Sequence, residues 1–218
     1  MSAPALSVRR VAPGAAAGAA LVAASRATGR DTHGRWPIVA AVAAPTTTAA
    51  ALGARDWLAR DLRWATWLPL PILFWHQTEE WVLPAGFMPW INRTVLESND
   101  DEFPITPRVG FVVNVVVGWG MSLAAATAKR RTPAPIAAVL ASHVANSALH
   151  IGAAVRQRRY NPGAASAALL LGPIGAGGLA ALVAQSPGRR REVAAGMTQG
   201  TVASLLTFRR LRRRMRAS

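Results

Sequence analysis

The chain has 218 residues, with 25 Lys+Arg against 10 Asp+Glu, a formal net charge of +15 and no cysteine. Without cysteine there is no disulfide framework, thiolate metal site, iron–sulfur cluster or thiol nucleophile. An apolar fraction of 51% excludes disorder throughout, and with only 16% of residues charged the basic excess must sit beside long uncharged runs, which suits a membrane protein better than a nucleic-acid binder.

Residues 1–60 read as an N-terminal extension. Residues 1–35 are rich in Ala, Gly and Arg and look weakly ordered. The uncharged run 36–54 has nearly spanning length and forms a possible extra helix, although Pro45 and three successive Thr weaken it. The membrane domain covers residues 61–208 and opens with a helix from Leu62 to Leu83, kinked by Pro69 and Pro71 and flanked by Trp57, Trp64 and Trp90. The loop that follows is acidic, with Glu97, Asp100, Asp101 and Glu102.

Three runs, 109–128, 132–155 and 160–188, carry no charged side chain. Each is long enough to cross a hydrocarbon core of ~30 Å, which takes roughly 20 helical residues. The segment from Val193 to Phe208 is shorter and contains Gln199; it either spans or lies in the interface. Residues 209–218 form a basic tail. The expected fold is therefore all-α, a polytopic transmembrane bundle of about 4–6 helices. The Lys129–Arg131 cluster and Arg55, Arg60 and Arg63 favour placing the start of the Leu62–Leu83 helix inside and the acidic loop outside.

Ionisable groups inside spanning helices are costly and mark functional sites. His76, Glu79 and Glu80 sit at offsets of three and four on one helical side. His143, Asn146, Ser147 and His150 form a polar stripe on an otherwise apolar helix, and Asn114 interrupts a run of Val. Tyr160-Asn161-Pro162-Gly163 is a turn by composition. Because successive spanning helices alternate in direction, all these groups gather in one half of the membrane, the outer half by the charge rule.

His76-Gln-Thr-Glu79-Glu80, then Asn146-Ser-Ala-Leu-His150, then Tyr160-Asn-Pro162-Gly163 resemble, in order, the H-x-x-E-E, N-x-x-x-H and Y-x-P-G motifs of the HXXEE-motif family of bacterial integral membrane proteins. Pro84-Ala-Gly86-Phe87, Trp90-Ile-Asn92 and Phe103-Pro-Ile-Thr106-Pro resemble that family's loop, and the likeness covers roughly residues 60–205. The resemblance implies a membrane fold and a site, in a multi-pass protein of the bacterial cytoplasmic membrane, but no substrate.

The residues themselves admit three chemistries. His76 with Glu79 or Glu80, together with His150 and His143, offers nitrogen and oxygen ligands to a divalent metal, Zn, Fe or Mn. Glu79, Glu80 and Tyr160 are then the candidate catalytic groups, and Asn114 and Asn146 orient ligands or touch substrate. The expected activity is hydrolysis or oxidation of a lipid or lipophilic small molecule, with the bilayer as partner and no nucleic acid. Oligomeric state is not readable. The second chemistry is metal-free: the Glu pair as acid and base of an isomerase or terpene-type cyclase, with Trp64, Trp67, Trp75 and Trp81 lining the pocket. The third is a non-enzymatic transport or accessory role.

Overall fold

The computed structural model describes residues 34–128 and 132–215. The sequence before residue 34, which holds most of the segment expected to be weakly ordered, the Lys129–Arg131 cluster, and residues 216–218 of the expected basic tail lie outside the described residues. Among the described residues the regular structure is helical, with no strand. Six long helices form the bundle: α1 (Trp36–Gly53), α2 (Pro69–Trp81), α3 (Pro107–Thr127), α4 (Pro133–Gln157), α5 (Ala164–Gln185) and α6 (Arg190–Met215). Of these, α1, α3, α4 and α5 are long and apolar enough to cross a membrane.

The two prolines do more than kink the expected Leu62–Leu83 helix. A short helix, Arg63–Trp67, precedes α2, and α2 begins at Pro69, where a missing N–H costs nothing. Leu62 enters this segment in the left-handed conformation. The uncharged run after Arg35 is α1, and it packs on α2 through Ala40, Ala43, Ala44 and Phe74.

Neighbours alternate in direction. Trp36 meets Trp81 at 5.0 Å between ring centroids, so the start of α1 lies beside the end of α2. On α3, Gly110 abuts Trp81 and Gly118 abuts Leu73, which makes α3 antiparallel to α2 as well. The α4 helix runs parallel to α2: His143 bonds the Pro69 carbonyl, and Asn146 bonds His76 further along. On α5, Gly172, Gly175 and Gly178 descend against Ser147, Val144 and Leu140 of α4. Small residues allow this approach, as lipid-embedded helices require.

The basic helix α6 follows α4. A Cβ at Gly196 or Gly200 would collide with the carbonyls of Ala134 or Ala138. The two contacts advance together, so α6 is parallel to α4 and continues past the Val193–Phe208 segment as one helix to Met215.

Candidate metal centre

Three elements meet at one end of the bundle: the last turns of α2, the second half of α4, and the turn that leads into α5. Each is held there by local chemistry. Gly163 takes φ +98, a left-handed conformation suited to glycine, and so starts α5 directly after the Tyr160 turn. A Cβ on Gly163 would lie 2.7 Å from His150 Cε1, 2.8 Å from His76 Cε1 and 3.0 Å from Glu80 Cγ. The backbone of the turn is thus the floor on which the three side chains rest.

His76, Glu80 and His150 each present one ligand atom within 4.8 Å of the others. Glu80 Oε1 lies 3.3 Å from His76 Nε2 and 3.2 Å from His150 Nε2. All three side chains are buried, with His150 at 0% exposure.

The surrounding hydrogen bonds fix the tautomers. Asn161 Nδ2 donates to the His150 carbonyl, so its Oδ1 faces His150 Nδ1 at 2.7 Å as an acceptor, and Nδ1 carries the hydrogen. Ser166 Oγ spends its one hydrogen on Glu79 Oε2. Its 2.9 Å contact with His76 Nδ1 therefore needs the hydrogen on the imidazole. Asn146 Nδ2 then donates to His76 Nε2 at 2.9 Å. His76 Nε2 thus shares its lone pair with the Asn146 amide, whereas His150 Nε2, facing Glu80 Oε1, makes no aligned hydrogen bond despite its burial.

His150 Nε2 and Glu80 Oε1, two buried acceptors without a shared hydrogen, repel one another unless a positive charge lies between them; for a metal there to take His76 Nε2 as well, the Asn146 amide has to turn away from it. A metal with bonds near ~2.1 Å separates tetrahedral ligands by about 3.4 Å, close to the 3.3 and 3.2 Å between Glu80 Oε1 and the two imidazoles. Two imidazoles and a carboxylate also match the donor set that catalytic zinc and non-haem iron accept. The group His76, Glu80 and His150 can hold a metal ion.

The other expected site residues lie close by but on different partners. Glu79 sits at i+3 from His76 and Glu80 at i+4, so they diverge by about 100° around the helix. Glu79 reaches the first turn of α5, where Oε1 accepts from Tyr160 Oη at 2.6 Å and from Ala165 N at 3.0 Å. Its Oε2 accepts from Ser166 N at 2.7 Å and from the Ser166 hydroxyl. A carboxylate on the free N–H groups of a helix start is a favourable pairing. Burial, then the Glu79 bond, raises the Tyr160 phenol above its ordinary value. His143 contacts the Pro69 carbonyl at 3.0 Å, two turns before His150. Asn114 accepts from Gln77 Nε2 at 3.1 Å, and Gln77 Oε1 accepts from Trp119 Nε1 at 2.8 Å, on another face of α2.

The cover over His150 is aromatic. Trp90 stacks on it at 5.3 Å and 23°, with Phe87 at 5.8 Å. Asn92, fully buried, anchors this loop by bonding Asp101 O, Ile105 O and Ile105 N, and Arg93 pairs with Asp101. The tryptophans expected around a cyclase pocket are dispersed: Trp67 faces Trp57, Trp75 bonds Thr48, Trp64 approaches Gly177 and Trp81 faces Trp36. Ser166, Gln77, Trp90 and Asn161 were not among the expected site residues. Asn161 lay inside a motif, whereas Ser166 carried a fainter signal: its place three residues after a turn glycine, where a helix start offers free N–H groups.

A family model described as "Protein of unknown function with HXXEE motif" matches residues 67–176, a span that includes every residue of the centre. No curated protein and no solved structure matches the chain.

Proposed function

The chain belongs to the HXXEE family, and from that premise we propose that it is a metal-dependent membrane enzyme acting on a lipid or lipophilic small molecule by hydrolysis or oxidation. The ligands are His76, Glu80 and His150, and the metal is Zn, Fe or Mn. The observation that carries this reading is the buried His150 Nε2, which points at Glu80 Oε1 from 3.2 Å without an aligned hydrogen bond.

A divalent ion held there supplies Lewis acidity and activates bound water. The protein's own groups do the rest. Asn161 and Ser166 hold the two imidazoles in the ligating tautomer. Trp90 and Phe87 keep bulk water from His150. Glu79 fixes Tyr160, an exposed residue of the turn that leads into α5. Four helices of spanning length and apolarity support a lipid environment for the substrate.

Elemental analysis of the detergent-purified protein tests this. Near-stoichiometric metal is expected, and His76→Ala and His150→Ala should each remove it. A folded, metal-free wild type overturns the proposal.

The same contacts support a second reading, in which one proton rather than a metal joins Glu80 Oε1 to an imidazole Nε2. The centre would then be an acid–base pair for metal-free isomerisation. That reading expects no metal and a Glu80→Gln variant that folds but is inactive.

A further inference from the structure

The outward face of α6 changes character along its length. Met197, Val202, Leu205 and Leu206 are exposed apolar side chains. The exposed residues that follow are Arg209, Arg210 and Arg213. The register set by Gly196 on Ala134 and Gly200 on Ala138 carries Arg209 to the level of Ser147, about one turn short of His150.

On α4 a similar change occurs further out. Val155 is exposed at 72%, and Arg156, Arg158 and Arg159 follow it, also exposed. Arg156 lies about 9 Å beyond His150 along the helix, at 1.5 Å per residue. An exposed apolar face belongs in hydrocarbon, whereas an arginine head reaches for the polar boundary. The two transitions bracket His150. The other end of α4 is about 25 Å from that residue, so the buried centre lies close to one membrane surface and far from the other.

We propose that these six arginines, at the ends of α4 and α6, bind the phosphates of anionic phospholipids and hold the His76–Glu80–His150 centre at headgroup depth. Guanidinium groups match phosphate oxygens in charge and in their paired donors. The acidic residues of the 97–102 loop lie at the same end, and Asp101 there is already paired with Arg93. With α6 parallel to α4, this end gains the arginines of the tail, and the charge rule no longer favours placing it outside.

For the enzymatic reading given above, on which this step rests, the substrate class becomes a lipid presenting its phosphate or glycerol region to the centre, rather than its chain ends. The lipid-binding surface itself stands on charge and depth alone.

The test uses the full chain in nanodiscs of phosphatidylcholine with or without phosphatidylglycerol, with retained lipid read by native mass spectrometry. Wild type should retain phosphatidylglycerol over phosphatidylcholine. Arg209→Gln, Arg210→Gln and Arg213→Gln combined should cut that preference on the order of a hundredfold, at about fivefold per arginine. The 156/158/159 triple Gln variant should act likewise. Metal content, measured on the same samples, should stay at the wild-type level. Equal retention of the two lipids by wild type, or unchanged retention in both variants, overturns the proposal. So does displacement of the lipid by millimolar inorganic phosphate, which would show a site for the free anion. A metal-free wild type that still selects phosphatidylglycerol removes the enzymatic reading and leaves the lipid surface standing.

Discussion

Asn161 grips His150 at two points: its Oδ1 lies 2.7 Å from Nδ1, and its Nδ2 donates to the His150 carbonyl across 2.9 Å. The second bond settles which end of the amide faces the ring, and the ring then has one orientation and one tautomer. Outer-shell partners of this kind commonly govern ligand affinity by 10–100-fold. Asn161→Ala should therefore weaken metal binding by about that factor while the helices stay folded. Chelator competition, followed by metal analysis and circular dichroism, measures both effects. Unchanged metal affinity would remove Asn161 from the centre.

The two carboxylates of the motif should separate cleanly in a metal assay. Glu80→Gln removes the anionic ligand between the two imidazoles and should strip the metal. Glu79→Gln leaves those contacts alone. It loses the charge that meets Ala165 N and Ser166 N at the start of α5, a helix-end interaction of about 1–2 kcal/mol. It should keep its metal and unfold at lower temperature. The opposite pattern, metal lost with Glu79 and kept with Glu80, would exchange their roles.

This division could not be read from the sequence. Offsets of three and four look equivalent on a helical wheel until the neighbours are known, and here they lead to α5 and α4 respectively. What the sequence does carry is the motif order and the stripe His143–Asn146–Ser147–His150, because polar side chains in apolar runs stand out by cost alone. Ser166 does not stand out: a small residue amid Ala is silent, and its partner His76 is ninety positions away. Gln77 was overshadowed by its neighbours in the motif, although it is 0% exposed and bonds Trp119. The parallel course of α6 was hidden for a related reason. Gly196 and Gly200 show that something packs closely, but not what, and only the structure supplies Ala134 and Ala138.

Gly163 is expected to tolerate no side chain. At φ +98 any L residue is strained, and the new Cβ would press on His150 and His76 at 2.7 and 2.8 Å. Each imidazole is held at Nδ1, the atom next to the Cε1 that would be pressed, by Asn161 or Ser166, so a retreat from the new Cβ breaks the bond that orients the ring. Gly163→Ala should cost about 3 kcal/mol and also disturb the metal. Thermal unfolding in detergent, with metal analysis of the folded fraction, reads both. A variant as stable as wild type would mean that the turn is free to move away from the centre.

Tyr160 is the one tyrosine of the chain, so its titration can be followed directly by phenolate absorbance. Burial and the Glu79 carboxylate raise its folded value above the ordinary 10.0. The folded state therefore holds this proton more tightly than the unfolded state does. The stabilisation it brings is fully present below pH ~10 and is lost as pH rises above that. Folded protein should show less phenolate at pH 10 than denatured protein, which should titrate with a midpoint near ~10. Glu79→Gln removes the carboxylate that opposes ionisation and should bring the folded midpoint down towards that of the denatured chain. If the folded wild type ionises at the denatured midpoint, the Tyr160–Glu79 bond is not kept in solution, and Glu79 does not fix Tyr160.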